Sequence, residues 1–132
     1  MPGQPAAKQG DKVMCIDTHI IMMPTPGGPV PTPLPNPFSG IINGSLSTNV
    51  KIMGQPAATL GSTAQNTLPH VPIGPGTFQI PPQNRATITQ GSTSVMINGK
   101  PAARNGDPAL TCDDVVPMPH GTVMAVGTVL IG

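Results

Sequence analysis

Apolar and polar residues alternate with a period of two over several short stretches of the chain, and nowhere with the longer period of a helix. Asn49-Val50-Lys51-Ile52-Met53-Gly54 and Ser94-Val95-Met96-Ile97-Asn98-Gly99 place branched apolar residues at every second position and end in glycine. This pattern predicts half-buried strands closing on a turn. Each is preceded by another short strand candidate, residues 39–43 and 86–90, linked through Gly44 or Gly91. The pairs are expected to form two hairpins. A third such stretch, Thr122 to Gly132, stands at the end of the chain with no continuation.

The segments just after the first two stretches account for the third. Gly54-Gln55-Pro56-Ala57-Ala58-Thr59-Leu60-Gly61-Ser62 and Gly99-Lys100-Pro101-Ala102-Ala103-Arg104-Asn105-Gly106-Asp107 are copies of one motif, and Gly3-Gln4-Pro5-Ala6-Ala7-Lys8-Gln9-Gly10-Asp11 is another. Their leading glycines are 51 and 45 residues apart. Placing the C-terminal stretch before Gly3 completes a third module. The expected fold is therefore all-β, a pseudo-threefold ring of short hairpins whose termini meet inside one module. Asp11 and Asp107 close their repeats just after a glycine, where a side-chain acceptor satisfies turn amides.

Composition sharpens this reading. The 132 residues include 19 prolines and 16 glycines, spaced too closely for a long helix. Such a content also fits a flexible linker, but 37% apolar and only 8% charged residues oppose a solvated coil. With two phenylalanines and no Trp or Tyr, the core must be thin and in need of a staple. Residues 24–37 hold seven prolines and are expected to run as polyproline-like chain rather than helix or central strand. Pro26-Gly27-Gly28-Pro29 also fits a PxxP ligand, a pattern of low specificity. Residues 69–82 are expected to be irregular in the same way.

A net charge of +1, from six scattered Lys and Arg, gives no basis for nucleic-acid binding. The longest strongly apolar run, Ile20 to Met23, stops at Pro24, far short of the roughly 20 residues of a membrane helix. The N-terminal residues have no apolar export segment, so synthesis in the cytoplasm is expected. The chain ends directly after its last strand candidate, and no effector extension is expected.

The chain has three histidines, one per module. His19 and His70 each lie 16 residues after their repeat glycine, and His120 lies 21 after its own. Equivalent positions in a threefold ring converge near the axis, so the imidazoles are expected to meet there. Three imidazoles and a thiolate form the closed set that structural zinc prefers. Two cysteines compete for the fourth place. Cys112 lies in the longer third insertion, which has the slack to reach the axis. Cys15 sits in Val13-Met14-Cys15-Ile16, where a buried thiol acts as a small hydrophobe. A Cys15–Cys112 disulfide is the alternative staple, against which the missing export segment argues.

No catalytic constellation accompanies these residues. The chain has no Glu, and Asp113-Asp114 on an extended segment point opposite ways, as a solvated loop does. No nucleophile elbow, phosphate loop or HExxH motif is present. A small zinc hydrolase would need an open metal position and a general base.

Pro101-Ala102-Ala103-Arg104 is the motif of the PAAR-repeat family, with Pro5-Ala6-Ala7-Lys8 and Pro56-Ala57-Ala58-Thr59 as degenerate copies. The stretch Asp17 to Asn36 resembles the PAAR-like subgroup. The resemblance covers essentially the whole chain, taken as one domain. It implies a cone-shaped protein capping the trimeric spike of contractile injection machines, one monomer per trimer, and helping to breach a target envelope. Such machines are type VI secretion systems, extracellular injection particles and phage tails. It also implies a zinc near the apex held by three His and one Cys, which by position are His19, His70, Cys112 and His120, with iron as the other candidate metal. The base would dock on the spike through apolar residues and open strand edges. An adaptor that links a toxin effector to the spike through residues 24–37 is the second function the resemblance leaves open.

Overall fold

The computed structural model describes residues 3–67, 69–72, 74–111 and 118–132. Its strands, in chain order, are β1 (Gln4–Pro5), β2 (Lys12–Met23), β3 (Val30–Gly44), β4 (Lys51–Ile52), β5 (Gln55–Pro56), β6 (Thr63–Asn66) and β7 (Thr77–Phe78). They continue with β8 (Arg85–Ile88), β9 (Met96–Ile97), β10 (Lys100–Pro101), β11 (Pro108–Leu110), β12 (Gly121–Met124) and β13 (Leu130–Ile131). There is no helix among the described residues.

The fold has two tiers. In the upper tier, β12, β11, β8, β6, β3 and β2 pair in that order, and β12 pairs back on β2 to close a six-stranded barrel. β7 adds to the far end of β2, at Ile21 and Met22. In the lower tier, three two-stranded ribbons, β4–β5, β9–β10 and β13–β1, hold the repeats. The ribbons correspond residue for residue: Ile52 faces Gln55, Ile97 faces Lys100 and Ile131 faces Gln4. Two of them turn on Met53-Gly54 and Asn98-Gly99, both residues of each pair having positive φ. That is the two-residue turn whose twist suits a hairpin. In the third ribbon Gly3 lies beside Ile131 and the chain is open where the other two ribbons turn, so the two ends of the described chain come together as the repeats require.

Hydrogen bonds close the ring around its axis. The Ala58 amide donates to Ala7 O, Ala103 to Ala58 O and Ala7 to Ala103 O, at 2.9–3.0 Å. All three alanines are fully buried. Only a methyl fits where three chains cross this closely, which is why each repeat carries Ala-Ala. They form the floor of the main core, with Val13, Phe38, Ile42, Ile88 and Val123 above. The preceding alanines, Ala6, Ala57 and Ala102, roof a second cluster with Ile52, Ile97 and Ile131.

Each repeat ends in a turn closed by its last residue. Asp11 Oδ2 accepts the Lys8 amide at 3.1 Å, Asp107 Oδ2 the Arg104 amide at 2.7 Å, and Ser62 Oγ the Thr59 amide at 2.9 Å. Lys8 and Arg104 also pair with their aspartates through their side chains. The Asp107 hydrogen bond, opposed by desolvation, raises the Arg104 pKa above its ordinary value, so the guanidinium stays charged at every working pH.

Two expectations are corrected. Residues 39–43 and 86–90 do not form hairpins with the next strand candidates in the chain. They lie in and just beyond the ends of β3 and β8, which are barrel strands, while β4 and β9 turn back on the repeats themselves. The C-terminal stretch divides likewise, β12 joining the barrel and β13 pairing with β1. Period-two alternation identifies strands, but their partners depend on which glycine takes the tight turn. The proline-rich segment is also not free polyproline chain. Residues 30–37 belong to β3 and pair with β2 without a break in register, Met23↔Val30 through Ile16↔Pro37. Prolines 31, 33, 35 and 37 alternate, so every missing N–H faces the same edge. That edge is turned away from β2, where no strand pairs with it among the described residues.

Candidate metal centre

The described parts of three connections, residues 24–29, 67, 69–72, 74–84, 111 and 118–120, lie at the end of the barrel strands opposite the repeat ring. Two of the three histidines meet there. On β2 the inward face carries Val13, Cys15, Asp17, His19 and Ile21, with Asp17, His19 and Ile21 fully buried. The strand projects beyond the barrel against β3 and β7, which carries His19 above the apolar core. His70 arrives from the connection between β6 and β8. Its backbone amide donates to Asn84 Oδ1 at 2.7 Å, and Asn84, with a φ of 56°, also bonds the Asn66 side chain.

His19 Nε2 lies 2.7 Å from His70 Nδ1. The other ring nitrogen of His70, Nε2, lies 3.0 Å from the carbonyl of Pro37 and 3.9 Å from Asp17 Oδ2. A carbonyl only accepts, so Nε2 of His70 carries a proton, and Nδ1 is the nitrogen that faces His19. Both phenylalanines of the chain wall this pair in edge-on contacts, Phe78 at 5.5 Å from the His19 ring and Phe38 at 6.1 Å from that of His70. Such an apolar wall limits water access to the pair.

Asp17, His19 and His70 each present a ligand atom within 4.8 Å of the others, and all three are buried. Two imidazoles and a carboxylate are a donor set that suits zinc or ferrous iron, so the residues present fit a metal. The histidine pair was legible from its common offset. Asp17 was not singled out as a metal-site residue, although Asp-x-His on an alternating strand places both side chains on one face.

The other expected ligands fall differently. His120 is exposed, one residue before β12, with its amide donating to Met118 O at 2.8 Å, and it is not part of the three-residue cluster. Cys112 and the pair Asp113-Asp114 lie outside the described residues, and with Cys112 the disulfide alternative. Cys15 is on the inward face of β2, half-buried, with Thr111 Oγ1 3.9 Å from its sulfur.

The family model described as PAAR motif matches residues 22–118 and 79–132, a span that holds the second and third Pro-Ala-Ala turns of the ring. The chain belongs to the PAAR-motif family. It is thus a structural spike-tip protein of contractile injection systems, all-β and cone-like, which caps the spike of such an apparatus. No curated protein matches the chain. Among the described residues no helix is long and apolar enough to cross a membrane.

Proposed function

We propose that this PAAR-family chain is a metal-pinned piercing tip, one copy of which caps a trimeric spike and concentrates the force of contraction on a target envelope. The observation that carries the reading is the buried pair His19 and His70, brought nitrogen to nitrogen at the end of the barrel opposite the repeat ring. Metal ligation there ties the β2–β3 projection to the β6–β8 connection at the point that meets resistance first. In this reading zinc is the ion, and Cys112 and His120 of the third connection complete its shell with the two histidines. Four protein ligands leave no place for substrate, so the ion is structural.

The opposite end suits a docking role. Met53, Met96 and Leu130 are each more than half exposed around the buried Ile52, Ile97 and Ile131. Met96 and Leu130 stand at matching positions, where the β4–β5 ribbon has Lys51 and exposes Met53 at its turn instead. Three corresponding ribbon ends, each with an exposed apolar residue, suit three identical chains of a spike, which supports one monomer per trimer.

The test is the metal content of the purified protein, measured by elemental mass spectrometry on the parent, Cys112→Ser and Cys15→Ser. The reading expects about one zinc per chain, lost in Cys112→Ser and kept in Cys15→Ser. A parent protein free of metal removes the pin and leaves the family fold without it.

A further inference from the structure

Asp17, His19 and His70 are near enough to be read as one ligand set, but Asp17 and His19 meet different ring nitrogens of His70. Nδ1 of His70 faces His19 Nε2 at 2.7 Å, whereas Nε2 faces the Pro37 carbonyl at 3.0 Å with Asp17 Oδ2 at 3.9 Å on that same side. An ion shared by the histidines must meet the lone pair that Nδ1 offers. The Asp17 carboxylate then stands behind the ring, beside the N–H that points away from the metal.

We infer that Asp17 is an outer-sphere positioning residue of the metal centre, and that His70 binds through Nδ1 with its Nε2–H held by Pro37 O and backed by the Asp17 carboxylate. The inference rests on the reading that His19 and His70 hold a metal. Ligating imidazoles commonly donate their second N–H to a carbonyl or carboxylate, which fixes the tautomer and the ring orientation. Here the fold builds both acceptors. A strand residue's N and C=O point to the same side, so the proline alternation that turns each Pro nitrogen to the outer edge of β3 turns the Pro37 carbonyl there too. No strand pairs with that edge over residues 30–37 among the described residues, and the His70 N–H takes the Pro37 carbonyl. Asp17 is two residues before His19 on the inward face of β2, so one short strand segment supplies both a ligand and the buried carboxyl group beside the other ligand. A dication brought into a buried apolar site needs such compensation.

Two measurements test the assignment. Zinc affinity of the full chain is measured for the parent and Asp17→Asn by competition with a chelating dye, beside X-ray absorption of both zinc-loaded proteins. Loss of an outer-sphere partner is expected to weaken binding about 10- to 100-fold while leaving the donor set unchanged. A changed donor set, with an oxygen lost from the shell, makes Asp17 a ligand and overturns the inference, as does an unchanged affinity. Should Asp17→Asn fail to fold, NMR of the cadmium-loaded parent with isotopically labelled histidine still decides it. Coupling of the metal to Nδ1 of His70, with a proton on Nε2, is expected, and coupling to Nε2 overturns it. A parent chain that binds neither zinc nor cadmium defeats the metal reading itself rather than this assignment.

Discussion

The lower ring and the upper connections are built from the same three modules and treat symmetry in opposite ways. In the ring, every ribbon pair, alanine and axial hydrogen bond recurs three times. At the upper end, β2 and β3, paired at 12 positions, run on past the barrel, one two-residue strand serves the second module among the described residues, and the three histidines occupy unlike settings. The physical reason is crowding. Three chains that cross within hydrogen-bond reach of one axis admit only one side-chain size, so the sequence there cannot drift. Loops that splay away from the axis meet no such limit, and they are free to carry chemistry.

On the proposed reading, in which a metal pins the upper end, the largest expected effect comes from removing that pin. His70→Ala, or chelation of the ion, is expected to cost at least about 3 kcal/mol, out of the roughly 10–16 kcal/mol that structural zinc supplies to small domains. Amide hydrogen exchange read residue by residue sharpens the comparison. Exchange should quicken along residues 17–23 and 30–38, while Ala7, Ala58 and Ala103 stay protected. Equal loss of protection in both regions would show that the two tiers unfold as one.

The ring is broken in a different manner, by size. Ala58→Leu pushes three extra carbons into the axial contact and is expected to lower stability by about 1–3 kcal/mol in denaturant titrations. The sharper form of this prediction is equivalence. Ala7→Leu and Ala103→Leu should cost the same within about 0.5 kcal/mol, because the three sites differ little in their surroundings. Unequal costs would mean that the threefold relation is one of backbone and not of packing.

The two tiers were also unequally legible in the sequence. The ring could be read because its constraint is written as a repeat, Pro-Ala-Ala at three places, and the meeting of the termini followed from that. The barrel was misread where a local rule was applied without its geometry. Proline is excluded from a strand only if both edges must donate, and β3 over residues 30–37 needs just one donating edge, which its alternation supplies. At the candidate metal centre, the two histidines of common offset, His19 and His70, lie 2.7 Å apart although one sits on β2 and the other in a connection. The offset of His120 differs, and its exposed position one residue before β12 reflects the longer third connection. Asp17 escaped notice because a lone aspartate has no repeat partner. Its role depends on which nitrogen of His70 it stands beside, a fact of tertiary structure alone.

The smallest effect concerns the least regular repeat, where Thr59 and Ser62 replace the cation and carboxylate of the other two. One backbone carbonyl explains the exchange. Val126 O receives the Lys8 ammonium and Gly91 O the Arg104 guanidinium, and the equivalent carbonyl, Ser45 O, receives Ser62 Oγ at 2.8 Å. Ser62 therefore does both jobs, accepting the Thr59 amide and donating to Ser45 O. Ser62→Asp can accept but not donate, and it sets a buried carboxylate against a carbonyl, so a loss of about 1–3 kcal/mol is expected. Adding Thr59→Arg supplies the missing donor and the missing counter-charge together. The double variant should return to within about 0.5 kcal/mol of the parent, a coupling of the size that contacting pairs show in double-mutant cycles. If the two changes merely add, the second repeat is not a rewired copy of the other two, and the ring's equivalence ends at its hydrogen-bonded backbone.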